Sequence, residues 1–239
     1  MKENNLTYAA ILGGFIFLGL TALGFFIGNA AIEYKLYDRS VKVKGLSERE
    51  QNADVIIWPI QYSIASNKLD NLYESIEKQT KKITVFLQEN GIEASEITIA
   101  SPAITDKSAQ RYSHNLKAEF RFAAVQTVTV YSQHIDIART AMNKLSELGK
   151  QGIVFTGGNH QSRTEYIFTS LNKVKPEMIA EATKNAREVA QKFATDSESK
   201  LGKIKRASQG QFSIMSRDKN NPHIKRIRVV STIEYYLSD

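Results

Sequence analysis

The sequence predicts an α+β fold with antiparallel sheets and helices packed on one face, preceded by one transmembrane helix. Three observations support this prediction. The segment from residue 4 to 32 contains no charged side chain. Beyond it, three segments with apolar residues at helical spacing are interspersed with segments in which apolar and polar residues alternate. Short polar links join neighbouring strand segments, which favours antiparallel pairing.

The N-terminal apolar segment predicts a membrane anchor at residues 6–32, after a short tail at residues 1–5. Roughly 20 apolar residues in a helix cross a hydrocarbon core, and a helix satisfies its own backbone hydrogen bonds in lipid. A cleaved signal peptide is the alternative, since Gly28-Asn29-Ala30 resembles a small-x-small cleavage site. The apolar run is, however, far longer than the roughly 7–15 residues of a signal peptide's apolar region. A polar connector at 33–40 and one soluble domain at 41–239 complete the predicted organisation.

Two further features of the anchor concern its packing and its orientation. Gly24 and Gly28 form a GxxxG pattern, which predicts a helix-packing face, although glycine is also simply common in membrane helices. The charges that bear on orientation lie mostly after the anchor, at Lys35, Arg39, Lys42 and Lys44, against Lys2 before it. This count favours a cytoplasmic body, but a long domain can be translocated regardless of charge.

The strand predictions come from period-two alternation. Val41 and Val43 predict a short strand that ends in a turn at Gly45. Residues 53–65 predict a longer strand, and Pro59 places that strand at an edge or at a bulge. Later strands are expected from Ile97 and within 112–131, 152–168, 203–215 and 224–237, with a hairpin connection at 106–115 and a turn at 157–160. In the last strand the alternation predicts one face with Ile227, Val229, Ile233 and Tyr235 and the other with Arg226, Arg228 and Glu234.

Three soluble helices follow from helical periodicity. The first begins with Asn67 as its cap and ends at Gly91, and the second spans 135–148. The third begins around Pro176 and is closed by Leu201-Gly202. Its predicted inner face is narrow and rich in alanine, which allows close approach to a sheet or to another copy of the helix. That face comprises Ile179, Ala182, Ala186, Val189, Ala190 and Phe193.

The composition excludes several kinds of site. The chain has 239 residues, a net charge of +7 and no cysteine, so disulfides, thiolate metal sites and cysteine nucleophiles are absent. The 4 histidines show no metal-binding spacing, and neither GxSxG nor GxxxxGK[ST] occurs. We therefore predict a protein that is not an enzyme and has no cofactor or metal. No basic run or motif indicates a nucleic-acid partner.

Two groups of residues remain as candidates. A basic surface for anionic lipid or an acidic partner is predicted at Lys200, Lys203, Lys205, Arg206, Arg226 and Arg228, with an ordinary solvated face as the alternative. Asp54 precedes an apolar strand, where a raised pKa would mark a functional group. The alternative is a carboxylate that binds backbone amides. Undetected catalysis through Asp54 or His160 is a third hypothesis.

The order of several short motifs resembles that of a known family. Val41-x-Val43-x-Gly45 is followed by Ala53-Asp54-Val55, and Gly91-Ile92 is followed by Glu96-Ile97. Further matches occur, in order, at Tyr112, Phe120-Arg121-Phe122, Gly152-Ile153, Glu181-Ala182, Ala186-Arg187, Ala190 and Leu201-Gly202-Lys203-Ile204. Together they resemble SIMPL-domain proteins across residues 41–236. Ala53, Glu96 and Arg121-Phe122 depart from the family's usual Pro, Asp and Gly-Tyr.

The resemblance implies a location and an assembly rather than a reaction. SIMPL-domain proteins are mostly periplasmic or outer-membrane-associated bacterial proteins, some linked to oxidative-stress defence, with no established catalytic residues. A relative assembles into ring-like or cage-like homo-oligomers. The resemblance therefore implies a periplasmic body tethered to the inner membrane, against the charge count. The expected partners are the membrane and further copies of the chain, which we expect to meet at strand edges and at the alanine-rich helix.

Overall fold

The computed structural model describes residues 3–109, 119–157 and 163–239. The predicted strand residue Tyr112 and the predicted turn residues Gly158, Asn159 and His160 lie outside the described residues. The secondary structure is mixed, with helices and antiparallel sheets, as the sequence predicts. The bounds of the helices are α1 Glu3–Tyr37, α2 Leu69–Glu89, α3 Ile135–Asn143, α4 Ser146–Lys150 and α5 Leu171–Asp196.

Among the described residues, ten strands form two sheets. The bounds of the strands are β1 Ser40–Asn52, β2 Val55–Ser66, β3 Ile97–Ile99, β4 Ala103–Asp106, β5 Phe122–Ser132, β6 Val154–Phe155, β7 Glu165–Ile167, β8 Lys200–Gln209, β9 Ser213–Ser216 and β10 Ile224–Ser238. One sheet has the order β1-β10-β8, with β9 also paired to β10. The other has the order β3-β5-β2-β6, with β4 paired to β5 and β7 paired to β2.

The chain divides into two compact units. The first comprises Met1–Glu48, Lys175–Ser213 and Arg228–Asp239, and the second comprises Arg49–Val174 and Ile214–Ile227. The predicted boundaries of one soluble domain at 41–239 stay a prediction. The first unit holds α1, most of α5 and most of the β1-β10-β8 sheet. The second unit holds α2, α3, α4 and the six-stranded sheet.

The first unit is built on α5 packed against its sheet. Every fourth residue of α5 is fully buried, and this stripe consists of Met178, Ala182, Ala186, Ala190 and Ala194. It covers Val43, Ile233 and Tyr235 of the sheet. The predicted inner face was therefore wrong at Val189 and Phe193, which are exposed. A spacing of four residues keeps the alanines in one row along the helix, whereas Val189 and Phe193 form the adjacent row.

Gly45 lies where α5 approaches β1 most closely. A methyl group on Gly45 would overlap the carbonyl oxygen of Ala182 and lie 2.5 Å from the backbone nitrogen of Ala186. The predicted turn at Gly45 was therefore wrong, because β1 continues through this residue to Asn52. Glycine is needed there for the approach of two backbones rather than for a turn. Asn185 also donates to the Leu46 carbonyl at 2.8 Å.

The second unit places its helices on one face of its sheet, as predicted. Alternate residues of β2 and β5 are buried beneath α2, α3 and α4, and their shared core includes Ile56, Trp58, Ile83, Leu87 and Val130. Pro59 lies between the segments of β2 that pair with β7 and with β6. β2 is therefore an interior strand of the sheet rather than an edge strand. Among the described residues, the stretch around Pro59 has a strand partner on the β5 side only, so the predicted edge position holds for that stretch alone.

Several predicted helix ends differ from the structure. Asn67 is not the cap of α2: its side chain accepts from the backbone N–H of Arg121 at 2.9 Å, so a tertiary contact displaced the local one. Gly91 ends α2 with φ +88, as predicted. The predicted second helix is broken into α3 and α4. α5 begins at Leu171, so Pro176 lies inside it, and Leu201-Gly202 belongs to β8.

We expect Gly45→Ala to lower the free energy of unfolding by about 1–3 kcal/mol, because the added methyl overlaps backbone atoms of α5 rather than the end of a flexible side chain. Urea unfolding of the full chain, followed by circular dichroism at the helix band, measures this loss. Gly149→Ala in α4 is the matched control, since no atom of the described residues beyond its own helix turn lies within 4 Å of the added methyl. Equal stability of the two variants would contradict the close packing at Gly45.

Candidate functional site

The candidate site lies where the apolar helix ends and the first sheet begins. Within α1, the segment Ala10–Lys35 has 26 residues and a mean hydropathy of 2.3, so it is long and apolar enough to cross a membrane. The most apolar part of this segment is not buried against the rest of the described chain. The helix continues to Tyr37 through most of the predicted connector. Lys35 lies in its last turn. Two residues, Asp38 and Arg39, then separate the helix from β1.

Backbone and side-chain contacts join this junction to the far end of the chain. The backbone N–H of Leu237 donates to the carbonyl of Arg39 at 2.9 Å. The Arg39 guanidinium donates to the Ser199 hydroxyl at 3.2 Å and pairs with the Asp239 carboxylate. Lys200 donates to the Asp239 carbonyl at 3.0 Å. The start of β1, the start of β8 and the end of β10 therefore meet at the end of α1.

Lys205 contacts two carboxylates and one aromatic ring at this junction. Its Nζ lies 2.6 Å from the Asp38 carboxylate and 3.7 Å from the Glu234 carboxylate. The Tyr236 ring centre is 5.4 Å away. The hydrogen bond to Asp38 is the main reason why the pKa of Lys205 is raised. Much of this charge is thus neutralised locally, and Lys205 holds the strand against the helix end.

Arg206 faces the outer surface of the sheet, opposite α5. It pairs in register with Glu234 of β10, whose neighbours Ile233 and Tyr235 point inward. A groove of about 530 Å³ lies here, lined by Lys42, Arg206, Ala207, Ser208, Thr232 and Glu234. The Ser40 hydroxyl donates to Glu234 at 2.6 Å, and this bond, with the nearby Lys205 and Lys42, lowers the pKa of that carboxyl. The groove therefore combines two cations with one ionised carboxylate.

The remaining predicted cations are spread along the chain. Lys203 is exposed on β8. Arg228 lies 3.8 Å from Glu48 and six residues along β10 from Glu234, which is about 20 Å in a strand. Arg226 belongs to the second unit. The structure thus groups Lys200, Lys203, Lys205 and Arg206 on β8, and we call these four residues the basic strand end.

Sequence reasoning did not identify the groups that hold the basic strand end, namely Ser40, Asp38, Glu234, Tyr236 and Asp239. Alternation along β10 placed Glu234 on the outer face correctly. Its position opposite Arg206 depends on the register between β8 and β10, which shifts irregularly near Tyr235. The residue pattern within β8 or within β10 does not show how the two strands will be aligned, so the sequence gives no signal of this pairing.

Gly24 and Gly28 are exposed along α1, and no atom of the described residues lies within 4 Å of a methyl built on either. Their proposed role in helix packing stays a prediction. The two outer strands of the first sheet are β1 and β8, of 13 and 10 residues. Among the described residues, each pairs with β10 on one side only. The alanine stripe, in contrast, already contacts this chain's own sheet.

Asp54 serves the structure in the manner of a cap. Its carboxylate accepts from the backbone N–H groups of Thr169 at 2.7 Å and Ser170 at 2.9 Å, immediately before α5. Burial raises the pKa of Asp54, but these donors outweigh it and the pKa is lowered. The bonding confirms the backbone-binding alternative. Within the described residues, no three His, Asp or Glu side chains cluster in a way that could hold a metal.

Comparison with known proteins adds one finding. A family model described as SIMPL, protein of unknown function (DUF541), matches residues 41–229. No curated protein matches the chain. The match begins one residue into β1 and ends within β10, so it includes both outer strands of the first sheet.

We expect Asp54→Ala to lower the free energy of unfolding at pH 7 by about 1–2 kcal/mol, because two backbone donors lose their acceptor. Since folding lowers this pKa, the stabilisation is present above the unfolded-state value of about 3.9 and is lost as the pH falls through the lower folded-state value. Urea unfolding followed by fluorescence of Trp58, in the same unit, measures it.

Glu74→Ala, an exposed carboxylate on α2, is the control and should change stability by less than about 0.5 kcal/mol. A difference between Asp54→Ala and the parent chain that persists unchanged to pH 3 would show that the carboxylate charge is not what binds the amides.

Proposed function

The chain belongs to the SIMPL family, and from this premise we propose a non-enzymatic, membrane-anchored protein of the bacterial envelope that self-assembles into a ring-like or cage-like homo-oligomer. In this proposal α1 stays in the inner membrane and the folded part lies in the periplasm, with a role in stress defence. The observation that supports assembly most directly is the pair of long outer strands, β1 and β8, each paired on one side only among the described residues.

Strand edges are the natural place for copies to meet. An edge strand carries a row of backbone donors and acceptors that another strand can pair with. Both edges are longer than a typical strand of about 5–6 residues. If β1 of one copy pairs with β8 of the next, every copy uses both edges and the contact closes into a ring when the rotation between copies allows it. The buried alanine stripe takes no part in this contact.

Light scattering of the full chain in mild detergent, with protein and micelle mass separated, tests the assembly. We expect one defined high-order oligomer, because a contact between two different edges adds copies until the ring closes. A monodisperse monomer would overturn the proposal.

Cysteine crosslinking tests the proposed contact, since the chain has no cysteine of its own. We expect a chain with both Lys44→Cys on β1 and Lys203→Cys on β8 to give crosslinked multimers under mild oxidation. β10 separates the two strands within one chain by roughly 9–10 Å, which is too far for an internal disulfide. Each single variant, and Lys184→Cys on the exposed face of α5, are the controls. Multimers from the Lys184→Cys chain alone would point to a helix contact instead.

A second function is favoured by the basic strand end. Lys205 contacts Asp38 directly after the apolar helix ends, so these four cations lie at the end of the sheet nearest the anchor. Near an anionic membrane surface each Lys or Arg contributes about 1 kcal/mol of attraction. In this second proposal the folded part rests on anionic headgroups of its own membrane through Lys200, Lys203 and Arg206.

Reactivity of a single cysteine measures this contact in nanodiscs that hold the full chain. We expect Ser208→Cys, on the outer groove, to react more slowly with a water-soluble maleimide in phosphatidylglycerol discs than in phosphatidylcholine discs. Charge reversal of Lys200, Lys203 and Arg206 to Glu should remove the difference. The same reversal of Lys78, Lys81 and Lys82 on α2 is the control. Equal rates in both lipids would overturn the contact with headgroups.

A further inference from the structure

The groove on the outer face of the first sheet is lined by polar groups from three neighbouring strands. Its volume of about 530 Å³ falls within the range of roughly 300–1,000 Å³ that is typical of small-molecule sites. Lys42 of β1 and Arg206 of β8 line it on either side of β10, which contributes Thr232 and Glu234. Ser208 pairs in register with Thr232. Because neighbouring strands lie about 4.8 Å apart, roughly 10 Å separates the backbones that carry the two cations.

Arg206 lacks the partner that its position in the sheet offers. It lies directly opposite Glu234, and opposite charges in such a cross-strand position commonly pair. The Glu234 carboxylate is instead engaged by other groups, since it accepts from the Ser40 hydroxyl at 2.6 Å and lies 3.7 Å from Lys205 Nζ. Among the described residues, none forms an ion pair or a hydrogen bond with the Arg206 guanidinium. Its N–H donors are therefore available to a ligand.

Other groups of the groove are available in the same way. Lys42 is near enough to help lower the pKa of Glu234, but its ammonium forms no ion pair or hydrogen bond with a described residue. The side-chain hydroxyls of Ser208 and Thr232 likewise form no hydrogen bond within the described part of the chain. The contacts that Glu234 receives from Ser40 and Lys205 both reach Oε1, which leaves Oε2 as an acceptor.

The groove thus places a cluster of donors beside one negatively charged oxygen, and this arrangement fits a zwitterion better than a simple anion. Two cations and two hydroxyls offer more donors than a carboxylate needs, whereas a phosphate has three strong acceptor oxygens. The carboxylate of Glu234 repels further negative charge and attracts an ammonium group.

We propose that this groove binds a phosphate that carries a primary ammonium group nearby, as in phosphoethanolamine. The Arg206 guanidinium and the Lys42 ammonium bind the phosphate, since a guanidinium matches two phosphate oxygens at once. The hydroxyls of Ser208 and Thr232 donate to the third oxygen, and Glu234 Oε2 accepts from the ammonium. The site does not depend on the proposed assembly, because pairing at the strand edges leaves the outer face of the sheet open.

Phosphoethanolamine, ethyl phosphate and ethanolamine are suitable probes, because ethyl phosphate lacks the ammonium and ethanolamine lacks the phosphate. We expect saturation-transfer NMR on the full chain in phosphatidylcholine nanodiscs to show that phosphoethanolamine binds about fivefold more tightly than ethyl phosphate, since it adds one partly exposed charge pair. Ethanolamine alone should give no signal above empty discs. Equal or tighter binding of ethyl phosphate, or no binding of either phosphate, would overturn the proposal.

Variants locate the binding. Glu234→Gln keeps the size of the side chain and should remove the preference for phosphoethanolamine over ethyl phosphate. Arg206→Gln and Lys42→Gln should each weaken the binding of both phosphates, and neither change removes a hydrogen bond between described residues. Arg228→Gln is the matched control, because Arg228 is exposed on β10 beside Glu48 and does not line the groove. Unchanged binding by a folded Arg206→Gln chain would place the site elsewhere.

Lipid composition distinguishes the two sources of this group, a free molecule and a lipid headgroup. The same titration is repeated in nanodiscs that contain phosphatidylethanolamine. If headgroups of the surrounding membrane fill the groove, they compete with the probe, and the apparent affinity for soluble phosphoethanolamine falls relative to phosphatidylcholine discs. Equal affinity in both kinds of disc would identify a free molecule as the ligand.

Discussion

The first unit depends on the close approach of α5 to β1 at Gly45. Four alanines at intervals of four residues give the helix a flat face, and the glycine lets the backbone of Ala182 come directly against the strand. Small side chains lose little conformational entropy on burial, but they bury little apolar area each. The packing therefore depends on close contact along the whole stripe. Ser47 adds to it by donating to Glu181 at 2.9 Å.

This packing determines which surfaces remain available. Because α5 covers the inner face of the sheet, the outer face and the two lateral strands are left for other contacts. The outer face carries a mixed set of charges rather than a uniform basic field. Lys205 is held by Asp38 and Glu234, and Arg228 lies near Glu48, so the net charge of the chain overstates the positive potential of this sheet.

Two polar side chains at the edge of apolar regions show how context decides a role. Asp54 is near an apolar strand, yet two backbone amides satisfy it and hold its charge, which makes it part of the framework. Gln126 is flanked by Val125 and Thr127 in an ordinary strand pattern, and nothing in the sequence distinguishes it. Only the structure shows that it is buried on the face toward α2, where its side-chain N–H donates to the Ala100 carbonyl at 2.7 Å and ties β5 to the segment after β3.

The sequence by itself determined the apolar helix, the α+β class, the strand faces of β10 and the glycine that ends α2. These features follow from local periodicity and from backbone preferences, which a short segment carries with it. Tertiary structure alone decided that Gly45 serves close packing, that Asn67 contacts the start of β5, and that Val189 and Phe193 stay outside. Tertiary structure alone also decided the register of β8 against β10, and hence the partners of the basic strand end. Each of these depends on residues far apart in the chain, and no pattern within one segment records which distant segment it will meet.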